Sequence, residues 1–416
     1  MPRPQSSTAP VFLDPDTPPT IATLVLITAL AALNMNIFLP SLPGLAADFG
    51  AEYALAQLAV SGYLATTAVL QLLIGPLSDR YGRRPVQLGA LLIFLVATVG
   101  CLTAPTIELF LLWRMLQAAV AAGFALSRTI ARDMRGAGEA ASLIGYVTMG
   151  MAVAPMVGPM IGGALDEVFG WRAPIALMLV VGLGAFWVVW RDLGETNAAP
   201  SDSFGAQFRD YPALLRSRRF WGYALTAAFA SGAFFAFLGG APYVASVVLG
   251  LSPAETGFWF GSIALGYASG NYVSGRYGAR LGINRLMLLG TVIATAALSG
   301  SLALFAGGAS HPLALFGPIA LMGFGNGLTM PGATVGTMSV RPQLAGSASG
   351  LGGALMIGGG AALATLAGAL LGPETGPFPL LWVMALSSVA AFAAVLFVFW
   401  VDNVAGPLPG MSRRGD

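Results

Sequence analysis

Residues 75–85 read Gly-Pro-Leu-Ser-Asp-Arg-Tyr-Gly-Arg-Arg-Pro and form a short charged segment between two apolar runs, at about 55–74 and 86–103. Each run is about 20 residues long, which is the length of an α-helix that crosses a bilayer. Charged side chains are costly at any depth of the membrane except its surface. Gly82 allows the chain to reverse its direction there. The segment therefore predicts a tight loop at a membrane surface, between two membrane-spanning helices.

The composition of the whole chain also indicates a membrane protein. Apolar residues make up 56% of the 416 residues and charged residues only 9%, whereas soluble domains carry about 25% charge. All 20 basic residues are arginine, and they are spread over many loops, so the net charge of +2 does not point to nucleic acid. The single cysteine, Cys101, excludes an intramolecular disulfide.

Twelve apolar runs have the length of a membrane span, and we number them as spans one to twelve. They lie at about 20–42, 54–77, 85–102, 107–127, 140–165, 171–191, 220–244, 255–275, 286–305, 313–332, 345–370 and 378–401. The predicted fold class is an all-α integral membrane protein with twelve transmembrane helices. Nearly all arginines fall on one side if the N-terminus is cytoplasmic, as the positive-inside rule requires. Both termini are therefore predicted to be cytoplasmic.

The polar segment 192–219 is the longest between two spans, and it is predicted to be a cytoplasmic linker. It divides the chain into two six-helix bundles, 20–191 and 220–401. Residues 1–19, with six prolines, are expected to form a disordered cytoplasmic tail. Residues 402–416 are expected to form a second cytoplasmic tail.

The two halves resemble each other. Residues 272–280, Tyr-Val-Ser-Gly-Arg-Tyr-Gly-Ala-Arg, lie between spans eight and nine, where the first half has its charged segment between spans two and three. The copy lacks the aspartate of the first segment. Two parallel six-helix repeats with a site between them are typical of secondary transporters.

The charged segment resembles the loop between helices two and three of the major facilitator superfamily, whose pattern is Gly-x-Leu-x-Asp-Arg-x-Gly-Arg-Arg/Lys. The residues that fit the pattern are Gly75, Leu77, Asp79, Arg80, Gly82, Arg83 and Arg84. The resemblance implies the major facilitator fold, in which two six-helix halves rock about a midplane site.

Residues 128–133, Arg-Thr-Ile-Ala-Arg-Asp, resemble the end of helix four in the bicyclomycin and chloramphenicol exporters of that superfamily. The resemblance implies that Asp133 pairs with the loop near Arg83. It also implies that Asp79 faces the start of span eleven near Ala345, where a helix N-terminus favours an anion. These contacts would latch the cytoplasmic side closed in an outward-facing state. The alternative is a set of solvated surface charges.

Span five contains a run of prolines and glycines that is similar to the Pro-x-x-Gly-Pro-x-x-Gly-Gly signature of antiporters in the superfamily. The matching residues are Pro155, Gly158, Pro159, Gly162 and Gly163. The prolines are expected to bend the helix and the glycines to let other helices approach closely. An ordinary packing face of small residues explains the same pattern. The resemblance favours export over import.

Span four carries Arg114 well inside the membrane, and an intramembrane charge is a functional hypothesis by default. Arg114 and Gln117 are similar to the Arg-x-x-Gln-Gly motif of helix four in the superfamily, with Ala118 in place of the glycine. We expect both residues to contact the substrate. The alternative is an arginine that reaches the surface or binds backbone carbonyls.

Span one ends in Phe-Leu-Pro-Ser-Leu-Pro, residues 38–43, which is similar to the same exporter family. That family has aspartate where this chain has Asn36. An amide carries no proton and attracts no cation, and the sequence places no acidic residue deep in any span. Asn36 is predicted either to bind the substrate by hydrogen bonds or to pack between helices.

The second half offers further candidates for the substrate site, which are Phe235, Tyr267, Asn271 and Asn326. Aromatic rings with a few amides suit an amphipathic, drug-sized ligand. Tyr267 and Asn271 are one helical turn apart and share a face. Lipid-facing aromatic residues are the alternative.

These observations predict a secondary active multidrug or antibiotic exporter in a bacterial inner membrane that works by alternating access. The expected partners are a drug-like small molecule, protons as the exchanged ion and the lipid bilayer, with a monomer as the expected unit. The alternative is a facilitative or proton-coupled carrier of a small metabolite. A channel is disfavoured because there is no filter motif, and a sensor because there is no signalling domain. No enzyme motif, cofactor motif or metal-ligand spacing is present in the sequence.

Overall fold

The computed structural model describes residues 11–134, 157–197, 206–341 and 344–405, and within these ranges the chain is helical, with no β-strand. The first half contains spans one to six. Their helices are Ile21–Asn36, Leu39–Ser41 and Leu42–Asp48 (span one), Tyr53–Ala56 and Leu58–Tyr81 (span two), Arg83–Thr103 (span three), Ile107–Gln117, Ala118–Ala121 and Ala122–Met134 (span four), 157–169 (span five) and Arg172–Asp192 (span six).

The second half contains spans seven to twelve, preceded by a linker helix, Ala206–Leu215. Its helices are Arg218–Tyr243 and Val244–Val248 (span seven), Pro253–Leu281 (span eight), Ile283–Ala306 (span nine), Leu313–Ser339 (span ten), Ala345–Leu370 (span eleven) and Phe378–Ala405 (span twelve).

Ten helices in the described ranges are long and apolar enough to cross a membrane. Span eight, Pro253–Leu281, is a further helix of 29 residues that is too polar to be counted among the ten. The C-terminal half of this helix, residues 267–281, carries three tyrosines and two arginines and few aliphatic side chains. Span five is described only over 157–169. The predicted all-helical membrane fold is confirmed. The predicted number of twelve spans is confirmed in part, for the ten helices counted in the described ranges.

The charged segment at 75–85 forms a shorter loop than the sequence indicated. Residues up to Tyr81 belong to span two and residues from Arg83 belong to span three, so Gly82 alone makes the reversal. Its backbone has φ 96° and ψ 155°, a conformation that essentially only glycine adopts. The backbone conformation at this turn therefore explains why the sequence pattern has a glycine at position 82.

The matching reversal in the second half lies at Gly282, with φ 79° and ψ 150°. The sequence had placed it within 272–280, but those residues are helical and belong to span eight. This part of the sequence interpretation is wrong by about one helical turn. Gly278 and Gly282 each follow a segment that contains an arginine, so the sequence does not show which of them makes the turn. The end of the helix at Leu281 shows that it is Gly282.

Of residues 1–19, which are predicted to form a disordered tail, the structure describes 11–19, and residues 1–10 lie outside the described ranges. Asp192, at the end of span six, is completely buried. Its carboxylate accepts hydrogen bonds from the backbone N–H of Leu13 at 2.7 Å and of Thr20 at 2.9 Å. The chain before span one is thereby attached to the C-terminal end of span six, and Asp192 supplies an acceptor for the backbone N–H of Thr20, the N-cap residue of span one.

Candidate functional site

The guanidinium of Arg114 is enclosed in the first half, with only 3% of the residue exposed. Nε donates to the carbonyl oxygen of Ala59 in span two at 3.3 Å. The Nη2 group donates to the carbonyl oxygen of Asn34 in span one at 2.9 Å, and Nη1 donates to the side-chain oxygens of Asn34 at 3.3 Å and Gln117 at 2.7 Å. Four hydrogen bonds to neutral acceptors thus satisfy most of its five donors.

Two aromatic rings complete the environment of Arg114. The guanidinium carbon lies 4.1 Å from the ring centroid of Phe38 and 4.4 Å from that of Tyr63. Cation–π contacts of this kind are worth about 2 kcal/mol when they are desolvated. Arg114 therefore holds its charge inside the membrane with dipoles and ring faces, and no carboxylate pairs with it in the described part of the chain.

Gln117 extends the cluster towards span three. Its Nε2 donates to the hydroxyl of Thr98 at 2.8 Å, and Thr98 in turn donates to the carbonyl oxygen of Phe94 at 2.6 Å. Arg114 and Gln117, both predicted to bind substrate, are thus brought together as expected, but they join spans one, two, three and four and are buried there. The geometry assigns them a structural contact, and their contact with substrate remains a prediction.

Asn34 is the residue of this cluster that the sequence interpretation missed. Its Nδ2 also donates to the hydroxyl of Tyr63 at 3.4 Å. The sequence contained one signal for it, because Asn34 precedes Asn36 by two residues in the same span. Nothing in the sequence showed which of the two amides faces span four.

Asn36 lies on a different side of span one and is completely buried. Its Nδ2 donates to the carbonyl oxygen of Ala32 at 2.7 Å, one turn earlier in the same helix, while its Oδ1 has no hydrogen-bond partner among the residues that the structure describes. A methyl group on Gly158 of span five would lie 3.6 Å from its Cβ. Asn36 therefore offers a free acceptor beside span five, and a buried unsatisfied oxygen is costly unless a ligand or water uses it.

The glycines of span five pack against two different partners, as the close-approach argument required. A methyl group on Gly162 would overlap the carbonyl oxygen of Ile37 in span one, and one on Gly163 would overlap the carbonyl oxygen of Pro253 in span eight. In return, a methyl group on Gly257 of span eight would overlap the carbonyl oxygen of Pro159. Span five thus joins span one to the second half. Pro155 lies outside the described ranges.

Of the four candidates in the second half, Tyr267 and Asn271 contact each other, while Phe235 and Asn326 contact other residues. Phe235 is buried in span seven with its ring against Gly360 of span eleven. Nδ2 of Asn271 donates to the carbonyl oxygen of Tyr267 in its own helix at 2.9 Å. Nδ2 of Asn326 donates to the carbonyl oxygen of Ala230 in span seven at 3.0 Å.

Asn326 also borders a small cavity inside the second half. The cavity is lined by Ala230, Ala233, Thr291, Ala294, Met322, Asn326, Ser388 and Ala391. These residues belong to spans seven, nine, ten and twelve, so the cavity lies within the second half and away from its border with the first. The placement does not support contact between Asn326 and a substrate between the halves.

At the loop between spans two and three, Arg83 is the centre of an ionic cluster. Its Nε lies 3.1 Å from a carboxylate oxygen of Asp133, and its Nη1 donates to the hydroxyl of Ser78 at 2.6 Å and to the carboxylate of Asp79. The side chain of Arg83 is 8% exposed and that of Asp79 is 48% exposed. The pair of Asp133 with Arg83 that the resemblance implied is present.

The remaining members of the predicted latch lie around this cluster. The hydroxyl of Ser78 donates to the carbonyl oxygen of Gly75 at 2.9 Å, and the guanidinium of Arg80 lies 5.5 Å from the ring centroid of Tyr81. Arg84 donates through Nη2 to the carbonyl oxygen of Trp190 at 2.9 Å. These contacts stay within the first half.

Glu195, in the linker after span six, is a partner of this loop that the sequence interpretation missed. Its carboxylate accepts from the backbone N–H of Arg83 at 2.9 Å and of Arg84 at 3.2 Å. A carboxylate in this position caps the N-terminus of span three. Asn197 adds a hydrogen bond to the carbonyl oxygen of Asp79 at 2.8 Å. Among the described residues, the loop is tied to Asp133 and to the linker, and its bonds do not extend to Ala345.

The sequence matches the Major Facilitator Superfamily over residues 24–365 and again over 249–414. It is 30% identical to multidrug resistance protein D of Escherichia coli over 357 residues, or 85% of this chain and 89% of that protein. It is 31% identical to a chloramphenicol resistance protein of Pseudomonas aeruginosa, over 79% of each chain. This chain belongs to the Major Facilitator Superfamily.

The solved structures support the same fold. A bacterial homologue of the human lysosomal transporter Spinster, in an inward-facing and occupied conformation, is similar with a TM-score of 0.71 and 18% identity, covering 92% of this chain and 96% of that one. The membership identifies the chain as a multi-pass membrane transporter and not an enzyme, as the sequence predicted. The resemblance to drug exporters noted from the motifs is confirmed by relatives of those names.

Proposed function

We propose that this protein is a secondary active exporter of drug-like molecules that works by alternating access, as a monomer, with its N- and C-termini in the cytoplasm. The observation that carries the proposal is the close contact between the outer ends of the two halves, with a buried amide that has a free acceptor, Asn36, next to it. The names of the relatives, which include multidrug and chloramphenicol resistance proteins, support the choice of substrate class.

The contact between the outer ends is made by spans five and eight, where backbone lies against backbone. Gly163 and Gly257 leave no room for a methyl group, because the carbonyl oxygens of Pro253 and Pro159 occupy that space. Glu167 accepts hydrogen bonds from the hydroxyl of Ser252 at 2.9 Å and from the backbone N–H of Ala254 at 3.1 Å. A carboxylate of the first half thus caps a helix of the second half. The outer side is closed in this conformation.

Alternating access requires that these contacts separate so that a substrate can leave on the outside. On the cytoplasmic side the charged loop bonds, among the described residues, to the first half and to the linker, and none of these bonds reaches a span of the second half. The latch expected for the outward-facing state, with Asp79 near Ala345, remains part of the proposal. The cluster of Arg83 and Asp133 exists while the outer side is closed, and it therefore serves to keep the loop rigid in this state.

The buried charge of Arg114 bears on the substrate class. A cation in a low-dielectric region that is balanced by dipoles alone disfavours a second cation nearby. We therefore expect neutral, phenicol-like or anionic substrates to be exported in preference to lipophilic cations. Substrate contact is assigned to Asn36, because it has an acceptor to offer, and Phe235 and Tyr267 are retained as apolar candidates.

A carrier for a small metabolite is the second candidate, and one observation favours it. In the described ranges the acidic side chains lie at or beyond the ends of the spans, such as Asp48, Asp133 and Asp192. No carboxylate there has a position typical of a proton carrier deep in the membrane. This placement of the acidic residues favours transport that is not coupled to protons.

Transport by membrane vesicles tests the proposal. Inside-out vesicles with the protein are expected to accumulate a radiolabelled phenicol when a proton gradient is imposed, and to lose that accumulation when the gradient is collapsed. Accumulation that is independent of the gradient would contradict proton exchange. Transport of sugars or organic acids without any transport of phenicols or other drugs would favour the metabolite carrier.

A pair of substitutions in span one tests the assignment of Asn36. Asn36→Asp is not expected to pair with Arg114, because Arg114 contacts Asn34 and residues two apart in a helix point to different sides. Asn36→Asp should extend resistance to a quaternary ammonium dye, whereas Asn34→Asp should pair with Arg114 and leave the substrate range unchanged. An extended range from Asn34→Asp alone would place the substrate beside Arg114.

A further inference from the structure

Gln57 lies between the two helices of span two, Tyr53–Ala56 and Leu58–Tyr81, near the outer surface. Its side chain is 1% exposed and extends out of the first half. Nε2 donates to the carbonyl oxygen of Ala364 in span eleven at 2.8 Å. Gln57 thereby forms a buried hydrogen bond between the two halves at a point where span two begins.

Two glycines of the second half make the space that Gln57 occupies. A Cβ on Gly368 of span eleven would lie 2.6 Å from Oε1 of Gln57, and a Cβ on Gly239 of span seven would overlap Nε2. The carboxamide therefore fills a volume that any larger residue at either position would need. We call the surface formed by Gly239, Ala364 and Gly368 the Gln57 slot.

Tyr53, one turn before Gln57, makes a second contact across the same border. Its hydroxyl donates to the carbonyl oxygen of Gly239 at 2.6 Å, and its ring centroid lies 4.9 Å from that of Tyr243. Both contacts are made by the first turns of span two, and both end on span seven or span eleven. The start of span two is thus held in the second half by neutral hydrogen bonds to backbone carbonyls.

We propose that Gln57 and its slot form the latch of the outer gate, with the side chain seated while the outer side is closed and withdrawn when it opens. The proposal rests on the alternating access proposed above. A neutral amide can exchange its bond to Ala364 for bonds to water at little net cost, whereas separating a buried ion pair leaves costly charges. A latch of this kind is therefore readily reversible.

Distance measurements between the outer ends of the halves test the latch. Glu52 and Glu374 are exposed at the outer ends of spans two and eleven, and spin labels on cysteines at these positions report the gap in a Cys101→Ser background. Gly368→Ala should raise the ratio of open to closed protein about tenfold, which lies within the range that overpacking by one methyl group costs. Gly358→Ala is the matched control, because a methyl group there lies 3.7 Å from Ala68 and fits.

A double-mutant cycle shows whether Gln57 is what the methyl group meets. Gln57→Ala alone should raise the open population, because it removes the bond to Ala364. In the Gln57→Ala background, Gly368→Ala should have no further effect. An unchanged distance distribution in Gln57→Ala, or an equal effect of Gly368→Ala with and without Gln57, would overturn the latch. The distances require no substrate and no proton gradient, so a failure of drug export would not resemble a failure of the latch.

Discussion

The reversals at Gly82 and Gly282 have the same backbone conformation but different partners. Both glycines have positive φ and ψ near 150°, so the two halves repeat the turn itself. The first turn is followed by Arg83, which is buried among carboxylates, and the second by Ile283, which is apolar. The repeat thus preserves the geometry of the turn, whereas the residue that follows the glycine is a buried arginine in the first half and an apolar isoleucine in the second.

The second half fixes its turn by a chain of hydrogen bonds. Nδ2 of Asn284 donates to the carboxylate of Asp402 in span twelve at 2.8 Å, and Oδ1 of Asn284 accepts from the hydroxyl of Tyr223 in span seven at 3.0 Å. Arg219 lies 3.4 Å from the same carboxylate. In each half, side-chain contacts hold the glycine turn in place. In the first half these contacts are made by a charged arginine, and in the second half by the neutral amide of Asn284.

The largest effect is expected from removal of the arginine in the first half. Arg83→Ala leaves Asp133 without its cation, and breaking a largely buried pair costs about 3 kcal/mol. Arg219→Ala should cost less, because Asn284 still binds Asp402. The midpoint of thermal unfolding in detergent measures both, and a larger loss in Arg219→Ala would reverse the comparison.

The next effect is expected from the glycines themselves. Gly82→Ala and Gly282→Ala both force alanine into a strained conformation, which costs about 1–3 kcal/mol. At Gly82 the added methyl group would also meet the carboxylate of Glu195, whereas nothing lies within 4 Å of one on Gly282. Gly82→Ala should therefore lower the unfolding temperature more. The control is Gly82→Ala made in a Glu195→Ala background and compared with Glu195→Ala alone, where it should cost only the backbone strain.

A smaller effect is expected from the amide of the second half. Asn284→Ala removes two hydrogen bonds and leaves Asp402 partly unsatisfied, for a loss of about 1–2 kcal/mol. Asn284→Asp keeps the size but places a carboxylate beside Asp402, so it should destabilise more at neutral pH than at pH 4. Equal unfolding temperatures of the two variants across this pH range would show that Asn284 does not anchor the turn.

The smallest effect on stability is expected from Asp79→Asn. Its carboxylate is half exposed and, within the described ranges, pairs with Arg83 alone, and such pairs contribute about 0.5 kcal/mol. Drug export should nevertheless fall, because the amide cannot serve the latch expected near Ala345 in the outward-facing state. Unchanged export by well-folded Asp79→Asn would remove Asp79 from that latch, while a large loss of stability would contradict its exposed position.

The membrane helices and the ionic loop could be predicted from the sequence because their signals are local. Apolar runs of about 20 residues have few alternatives to a span, and the pairing of Arg83 with Asp133 followed from a resemblance in two short motifs. The turn at Gly282 could not be placed, since Gly278 fits the same pattern and only helix packing separates them.

The contacts of single polar residues could not be predicted, because they depend on which face of a helix meets which neighbour. Asn34 and Asn36 are the same residue type in one apolar helix, and the sequence alone favours neither for Arg114. Gln57 looks like an ordinary polar residue near a span end until Gly239 and Gly368 are seen around it. Glu195 lies in a linker, more than 100 residues from the loop that it caps.

The environment of Arg114 has a consequence for how the chain enters the membrane during synthesis. A lone arginine at the centre of a helix costs about 2.5–3.5 kcal/mol on insertion. Its acceptors, Asn34, Ala59 and Gln117, belong to spans one, two and four. All of them leave the ribosome before span four or with it. Span four can therefore be received by partners that are already in the bilayer, so the first half can bury its charge before any residue of the second half has been translated.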